Sequence, residues 1–190
     1  MGTHSKPRTV KAIQNCLEII EVVQEQSTAG VTEIASEIDR SKGTVHSHLA
    51  TLLQNEYVVH DDDEYRLSLK FLNLAESVKG EIAEYDIVKE ELADLAEKTG
   101  ELAQFATVEH GRAVYLHKVA GENAVQTASS PGKREYLHCL SLGKAMLAYM
   151  PEERVDEIID QYGLPAYTEN TITSRETLLE ELESIRERGY

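Results

Sequence analysis

One change of apolar spacing, falling between residues 53 and 57, constrains the fold more than any other feature of this chain. Before it the spacing is helical. Val10, Ile13, Leu17 and Ile20 recur every three or four residues, and Cys16, Ile19 and Val23 widen that face, so residues 10–26 read as an amphipathic helix. Ser27-Thr28-Ala29-Gly30 stops it. Thr32 is placed to cap a short second helix carrying Ile34, Ala35 and Ile38. Asp39-Arg40 makes a tight turn, and Ser41 caps a third helix with Val45, Leu49, Leu52 and Leu53 on one face. After that the period drops to two. Tyr57-Val58-Val59 and Tyr65-Arg66-Leu67 flank Asp61-Asp62-Asp63-Glu64, which predicts a β-hairpin with an acidic tip. Three helices closed by a hairpin is the order of a winged helix-turn-helix.

The rest of the chain has a different character. Leu69, Leu72, Ala75, Val78 and Ile82 predict a connecting helix, weakened at Gly80 by about 1 kcal/mol relative to alanine. Asp86 is placed to cap a helix bearing Val88, Leu92, Leu95 and Ala96, which Gly100 closes. Leu102–Glu109, Arg112–Lys118 and Ala124–Ser130 then read as strands. Ser141 opens a helix with Leu142, Ala145, Met146 and Tyr149. Pro151 fits the first position of another, which Gly163 and Pro165 end. Thr173 with Glu176 forms a capping-box pattern for a last helix bearing Leu178, Leu179, Leu182 and Ile185. The expected organisation is α+β: a winged helix-turn-helix over 1–70, a linker helix over 71–85 and an α+β domain over 86–190.

Several function classes find no support in these residues. No run approaches the roughly 20 apolar residues that span a bilayer, and no apolar segment follows the polar stretch from Met1 to Arg8. A cytoplasmic protein without membrane partners is expected. Cys16 and Cys139 lie far apart with no metal-ligand spacing, so two free thiols are expected. His110 and His117 do not match a zinc spacing. Ser141 lacks a G-x-S-x-G elbow. His138 and Cys139, if on a strand, would point to opposite faces. No catalytic residue, metal or cofactor is expected, and a hydrolase using Ser141 or Cys139 lacks a base at readable spacing.

Charge poses the sharpest question. The chain holds 19 Lys+Arg against 34 Asp+Glu, a net charge of −15. Residues 1–70 contribute 7 basic and 11 acidic residues, so even the helix-turn-helix half is net −4. Binders of DNA normally present a basic footprint. A halophilic origin answers this, because at about 1 M salt the Debye length falls to about 3 Å and only short contacts survive. The rival reading is a sensor or interaction module that has lost DNA binding.

Specific segments carry a family resemblance. Gly30-Val31-Thr32-Glu33-Ile34-Ala35 and Ser41-Lys42-Gly43-Thr44-Val45-His46-Ser47-His48-Leu49-Ala50-Thr51-Leu52 resemble the helix-turn-helix of IclR-type regulators. Gly132-Lys133-Arg134-Glu135-Tyr136-Leu137-His138, then Ser141-Leu142-Gly143-Lys144-Ala145-Met146-Leu147-Ala148, resemble that family's effector-domain signature. Tyr167-Thr168, Thr171-Ile172-Thr173 and Leu182 to Gly189-Tyr190 match as well. The resemblance implies a transcriptional regulator with a GAF-like effector domain, binding a double-stranded DNA operator under control of a small-molecule effector such as an organic acid. Two departures stand out. Family members often carry arginine where this chain has Ser47, and they continue past the position of Tyr190 with strands that complete the sensor sheet and its pocket, so the effector domain here reads as truncated.

Within that frame, Ser41, Lys42 and Thr44 are candidates for phosphate or base contact, and Ser47 and His48 for base edges. Thr32 is a candidate for backbone phosphate at the second helix, and Arg66 for a backbone contact from the hairpin. His46 is expected to pack, and the acidic tip to point away from DNA. Effector candidates are Gly132, Lys133, Arg134, Ser141, Leu142 and Gly143, the last three because helix N-terminal amides hold a carboxylate. The apolar face of Val10, Ile13 and Leu17, with Leu72, Ala75 and Val78, exceeds what one small domain needs and is read as the surface of a homodimer or homotetramer.

Overall fold

The computed structural model describes residues 8–125, 127 and 129–190. The chain divides into two units, Met1–Ala83 and Glu84–Tyr190.

In the first unit, α1 (Lys11–Gln26), α2 (Val31–Glu37) and α3 (Lys42–Gln54) surround one core with a small antiparallel sheet. That sheet orders β1 (Ala29–Gly30), β3 (Glu64–Leu67) and β2 (Val58–Asp61), with β3 in the middle. The two-residue β1 is too short to leave a sequence period. α1 buries Asn15, Ile19, Val22 and Val23, whereas Val10, Ile13 and Leu17 are exposed. The face that dominates the sequence pattern is therefore the outer one. α2 begins one residue before the expected cap: Gly30 precedes it, and its N–H donates to the Glu33 carboxylate at 2.9 Å, so Thr32 is an exposed helical residue and not the cap. Ser41 caps α3 as its position predicts, accepting from the Thr44 N–H at 3.1 Å. Leu53 turns out half exposed, off the buried face of Val45, Leu49 and Leu52.

The connecting helix α4 runs Lys70–Gly80 and buries no residue. It is tied to the unit at its start. The Lys70 ammonium reaches the Asn55 carbonyl at 2.9 Å and lies over the Tyr57 ring, and Phe71 meets that ring edge-on.

In the second unit, α5 (Tyr85–Thr99) packs on β4 (Leu102–Glu109) and β5 (Arg112–Ala120), which pair antiparallel along their length. Helix α5 starts ahead of Asp86, with Glu84 in the position before it, and Gly100 closes it in a left-handed conformation. The third strand is β6 (Arg134–Tyr136), paired with Arg112–Val114 of β5, and not the expected Ala124–Ser130. Of that segment Gln126 and Ala128 lie outside the described residues, and the others form no strand. A reason is visible: the Lys118 ammonium on β5 takes the carbonyls of Thr127 at 2.9 Å and Ser129 at 3.3 Å, so a side chain satisfies groups that a ladder would otherwise need.

His138 and Cys139 do not point to opposite faces of a strand, because Leu137–Cys139 is a 3₁₀ turn. It leads into α6 (Ser141–Ala148), α7 (Glu152–Tyr162) and α8 (Arg175–Arg188). Pro151 is the residue before α7 rather than its first, and Ser174, not Thr173, caps α8, one residue along from the sequence pattern. Leu147, Val155, Leu178 and Leu182 fill the core among these elements.

Candidate nucleic-acid interface

Helix α3 separates its residues cleanly. Val45, Leu49 and Leu52 are buried in the unit's core, while Ser41, Lys42, Gly43, His46, Ser47, Ala50 and Thr51 are exposed. The outer face holds one cation and short polar groups. In a chain of net charge −15, α3 from Lys42 to Gln54 contains no Asp or Glu. Small side chains let the helix approach a duplex, and the absence of carboxylates removes the repulsion that a phosphate wall would impose.

Each hydroxyl is already oriented. Ser41 Oγ and Thr44 Oγ1 lie 2.8 Å apart at the helix start. Ser47 Oγ donates to the Gly43 carbonyl at 2.9 Å, and Thr51 Oγ1 to the Ser47 carbonyl at 3.0 Å. The Ser47 and Thr51 protons are spent within the helix and their lone pairs remain for a ligand, whereas Ser41 and Thr44 share one hydrogen bond and keep one hydroxyl proton between them. Lys42 projects from the first turn.

The two histidines exchange their expected roles. His46 is exposed. His48, expected at base edges, is half-buried against α1: its Nε2 lies 3.4 Å from Asn15 Nδ2 and its Nδ1 3.4 Å from Cys16 Sγ. A ring engaged on both nitrogens is a packing element, so His48 leaves the set of base-reading candidates.

Arg66 is exposed on β3, opposite Val59. The turn beyond it carries Asp61, Asp62, Asp63 and Glu64, all exposed, with Asp62 in a left-handed conformation that Asp tolerates better than most residues. Thr32 is exposed near the start of α2.

Sequence reasoning missed Asn15 and Arg40. Asn15 is buried on a helix face otherwise made of Ile19, Val22 and Val23, and Arg40 Nε donates to its Oδ1 at 3.2 Å. The signal was present, since Asn15 shares helical spacing with Ile19, Val22 and Val23, but a polar residue does not mark an apolar face.

The effector candidates are dispersed in character. Lys133 pairs with Glu135 at 2.8 Å and Arg134 with Glu109 at 2.6 Å, so both charges are largely balanced. The hydrogen bond to Glu135 pushes the Lys133 ammonium above its ordinary value. Gly132 sits in a left-handed turn with open space around it. Ser141 is exposed, Leu142 half-buried and Gly143 buried at the start of α6. Beside them the 3₁₀ turn brings His138 Nε2 to 3.2 Å from Cys139 Sγ, an approach that a strand would have prevented. Burial pushes the Cys139 thiol up, with Glu135 adding to the effect, which disfavours a thiolate.

Comparison with known proteins is decisive at this point. Residues 12–62 match the model of the IclR helix-turn-helix domain, and residues 81–190, more than half the chain, match that of the bacterial transcriptional regulator IclR C-terminal domain. The chain belongs to the IclR family. It is similar to the probable HTH-type transcriptional regulator ArcR of Halobacterium salinarum, at 30% identity over 193 residues, covering 100% of this chain and 73% of that one. Among solved structures it resembles the Thermotoga maritima IclR, with a TM-score of 0.72 and 28% identity over 95% of this chain and 74% of that one. An IclR homologue from Microbacterium hydrocarbonoxydans complexed with 4-hydroxybenzoate shares the fold, with a TM-score of 0.77 and 18% identity over 94% of this chain and 75% of that one. This IclR-type chain is therefore a helix-turn-helix transcriptional regulator with a C-terminal effector-binding domain. The relatives it matches are regulators. No helix among the described residues is long and apolar enough to cross a membrane.

Proposed function

We propose that this IclR-family regulator reads a double-stranded operator with the outer face of α3, in the cytoplasm, as a homodimer or homotetramer. The observation that carries this is the carboxylate-free face of α3 in a strongly acidic chain. Lys42 supplies phosphate charge, Ser41 and Thr44 meet the backbone or a base at the helix start, and Ser47 meets a base edge through its lone pairs. Thr32 and Arg66 add backbone contacts from α2 and β3. The acidic hairpin tip faces away from the duplex.

The proposed division is a winged domain over 1–70, a linker helix over 71–85 and an effector domain over 86–190. A small organic acid is the proposed effector, supported by the 4-hydroxybenzoate complex of the Microbacterium homologue and by the free amides at the start of α6. Ser141 and Leu142 are the better-placed members of that set. Gly132 supplies a turn, and Lys133 and Arg134 contribute less than isolated cations would. The exposed Val10, Ile13 and Leu17 of α1, with Leu72 and Val78 of α4, support self-association. Similarity to a Halobacterium salinarum regulator supports operation at high salt, where the net charge matters least.

The test is binding to duplexes from upstream of its own gene, at low and at molar KCl, for the wild type and Lys42→Ala. Loss of one phosphate contact should weaken binding to all duplexes and flatten the salt dependence by about 0.9 in log–log slope. A wild-type chain that shifts no duplex at either ionic strength refutes the proposal and leaves the module without DNA binding as the reading.

A further inference from the structure

Asn15 is a buried polar residue, 6% exposed, on the packed face of α1. Its orientation is set by its neighbours. Arg40 Nε donates to Asn15 Oδ1 at 3.2 Å, and a guanidinium has donors only, so the carbonyl end of the amide must face Arg40. The amide's NH₂ end then faces His48 Nε2, at 3.4 Å. An NH₂ group donates and cannot accept, so Nε2 must carry a lone pair. The single ring proton of the neutral imidazole therefore sits on Nδ1, where it points to Cys16 Sγ at 3.4 Å.

Arg40 is itself fixed. Its Nη1 donates to the Ile38 and Asp39 carbonyls, at 2.9 Å each, and its Nη2 lies 3.5 Å from Glu18 of α1. The series Arg40, Asn15, His48, Cys16 thus ties α1, the turn before α3 and α3 itself in one directional chain, with Glu18 adding an ion pair to Arg40 at one end. Its charged members are Arg40 and Glu18, and His48 and Cys16 are its other titratable groups. Burial pushes the Cys16 thiol up, so it stays protonated and its sulfur accepts from the ring. Apolar packing of Val45, Leu49 and Leu52 holds α3 to the core but is non-directional. A hydrogen-bonded ring one residue from Ser47 resists rotation of the helix about its own axis.

We propose that Asn15 is a positioning residue for DNA recognition: it holds His48 as the neutral Nδ1-protonated tautomer, and the held ring sets which face of α3 the duplex meets. This rests on α3 being the reading helix and adds what aligns it.

The experiment uses the full chain. In ¹⁵N-resolved NMR under mildly alkaline conditions, wild-type His48 should show a protonated Nδ1 and a bare Nε2. Asn15→Asp keeps the shape and still accepts from Arg40, but now presents an acceptor to the ring, so the proton should move to Nε2. Duplex DNA is then enriched from a random library by the wild-type chain. Asn15→Ala should bind the enriched duplex about three- to tenfold more weakly, the range of one hydrogen bond, with binding to unselected duplex unchanged. His48→Gln, whose carbonyl can accept from Asn15, should restore most of the affinity that His48→Leu loses. If Asn15→Ala fails to fold, the Asn15→Asp tautomer and the His48→Leu and His48→Gln affinities carry the test. A wild-type Nε2-protonated ring, or enriched-duplex binding unchanged in folded Asn15→Ala or His48→Leu, overturns the proposal. Failure of the wild type to enrich any duplex instead removes the DNA-reading assignment on which it rests.

Discussion

Two glycines in helices of this chain should respond to alanine in opposite directions. Gly80 ends α4 and Gly143 lies in the first turn of α6. Helix propensity alone favours alanine at each by up to about 1 kcal/mol. A Cβ on Gly80 meets nothing within 4 Å, so Gly80→Ala should keep most of that gain. A Cβ on Gly143 would lie 2.2 Å from the Leu137 carbonyl oxygen and 2.8 Å from its carbonyl carbon and Cα. All three are backbone atoms, and no rotamer change relieves them. Ordinary contact starts at 3.4 Å, so the 3₁₀ turn and α6 must separate by about an ångström. Leu137, Leu147 and Ala148 are fully packed on either side and must follow. Overpacking of this kind costs about 3 kcal/mol at the upper end. Less the propensity gain, Gly143→Ala should destabilise by about 2 kcal/mol. At roughly 4–8 °C per kcal/mol, the transition of the second unit should fall by about 8–16 °C in calorimetry of the full chain. A Gly143→Ala transition at or above the wild-type temperature would refute the argument that close backbone approach selects glycine there. The variant keeps its amide N–H, so an effector-binding loss beyond the stability loss would assign Gly143 a second role.

Converting Asp61, Asp62 and Asp63 to Asn removes three charges and preserves the left-handed turn at Asp62. Operator affinity should rise at low salt, measured by fluorescence anisotropy, and the gain should vanish near 1 M salt as the Debye length falls to about 3 Å. A gain that persists at molar salt would place the tip in direct contact with the duplex. The Lys144–Glu181 pair, at 2.9 Å, joins α6 to α8. The Lys144 hydrogen bond and charge, with Arg188 adding, hold the Glu181 carboxyl below its ordinary value. Its contribution is therefore present above the usual carboxylate range and lost as pH falls through the lowered folded value. Glu181→Gln should cost under about 1 kcal/mol in urea unfolding at neutral pH and nothing at strongly acidic pH. Equal losses at both pH values would show that packing, not charge, is what the substitution removes.

What the sequence made legible follows from how far each signal reaches. Helices α1, α3 and α5 and the strands β4 and β5 declare themselves through long periodic runs, and Ser41, Gly100 and Gly163 mark ends by local chemistry. β1 could not be read, because two residues have no period and pair only with the distant β3. β6 was hidden in Arg134–Tyr136 because its partner is the start of β5, while in the more strand-like stretch before it the carbonyls of Thr127 and Ser129 are held by Lys118. The positions of Lys42 and Thr44 in the first turn of α3 were legible from the Ser41 cap. His48 was not, since its partner Asn15 lies 33 residues away and only folding brings them together.

Helix α4 carries one further consequence. It has 11 residues, buries none of them and is tied to its own unit at Lys70 and Phe71. Helices of that length are marginal in water without a packed face. Leu72 and Val78 give it such a face but leave it in solvent. Its coil–helix equilibrium is then set by whatever comes to lie along it, so self-association should register as ordering of this segment. If the chain self-associates along this face as proposed, dilution should lower its helicity while both cores stay folded.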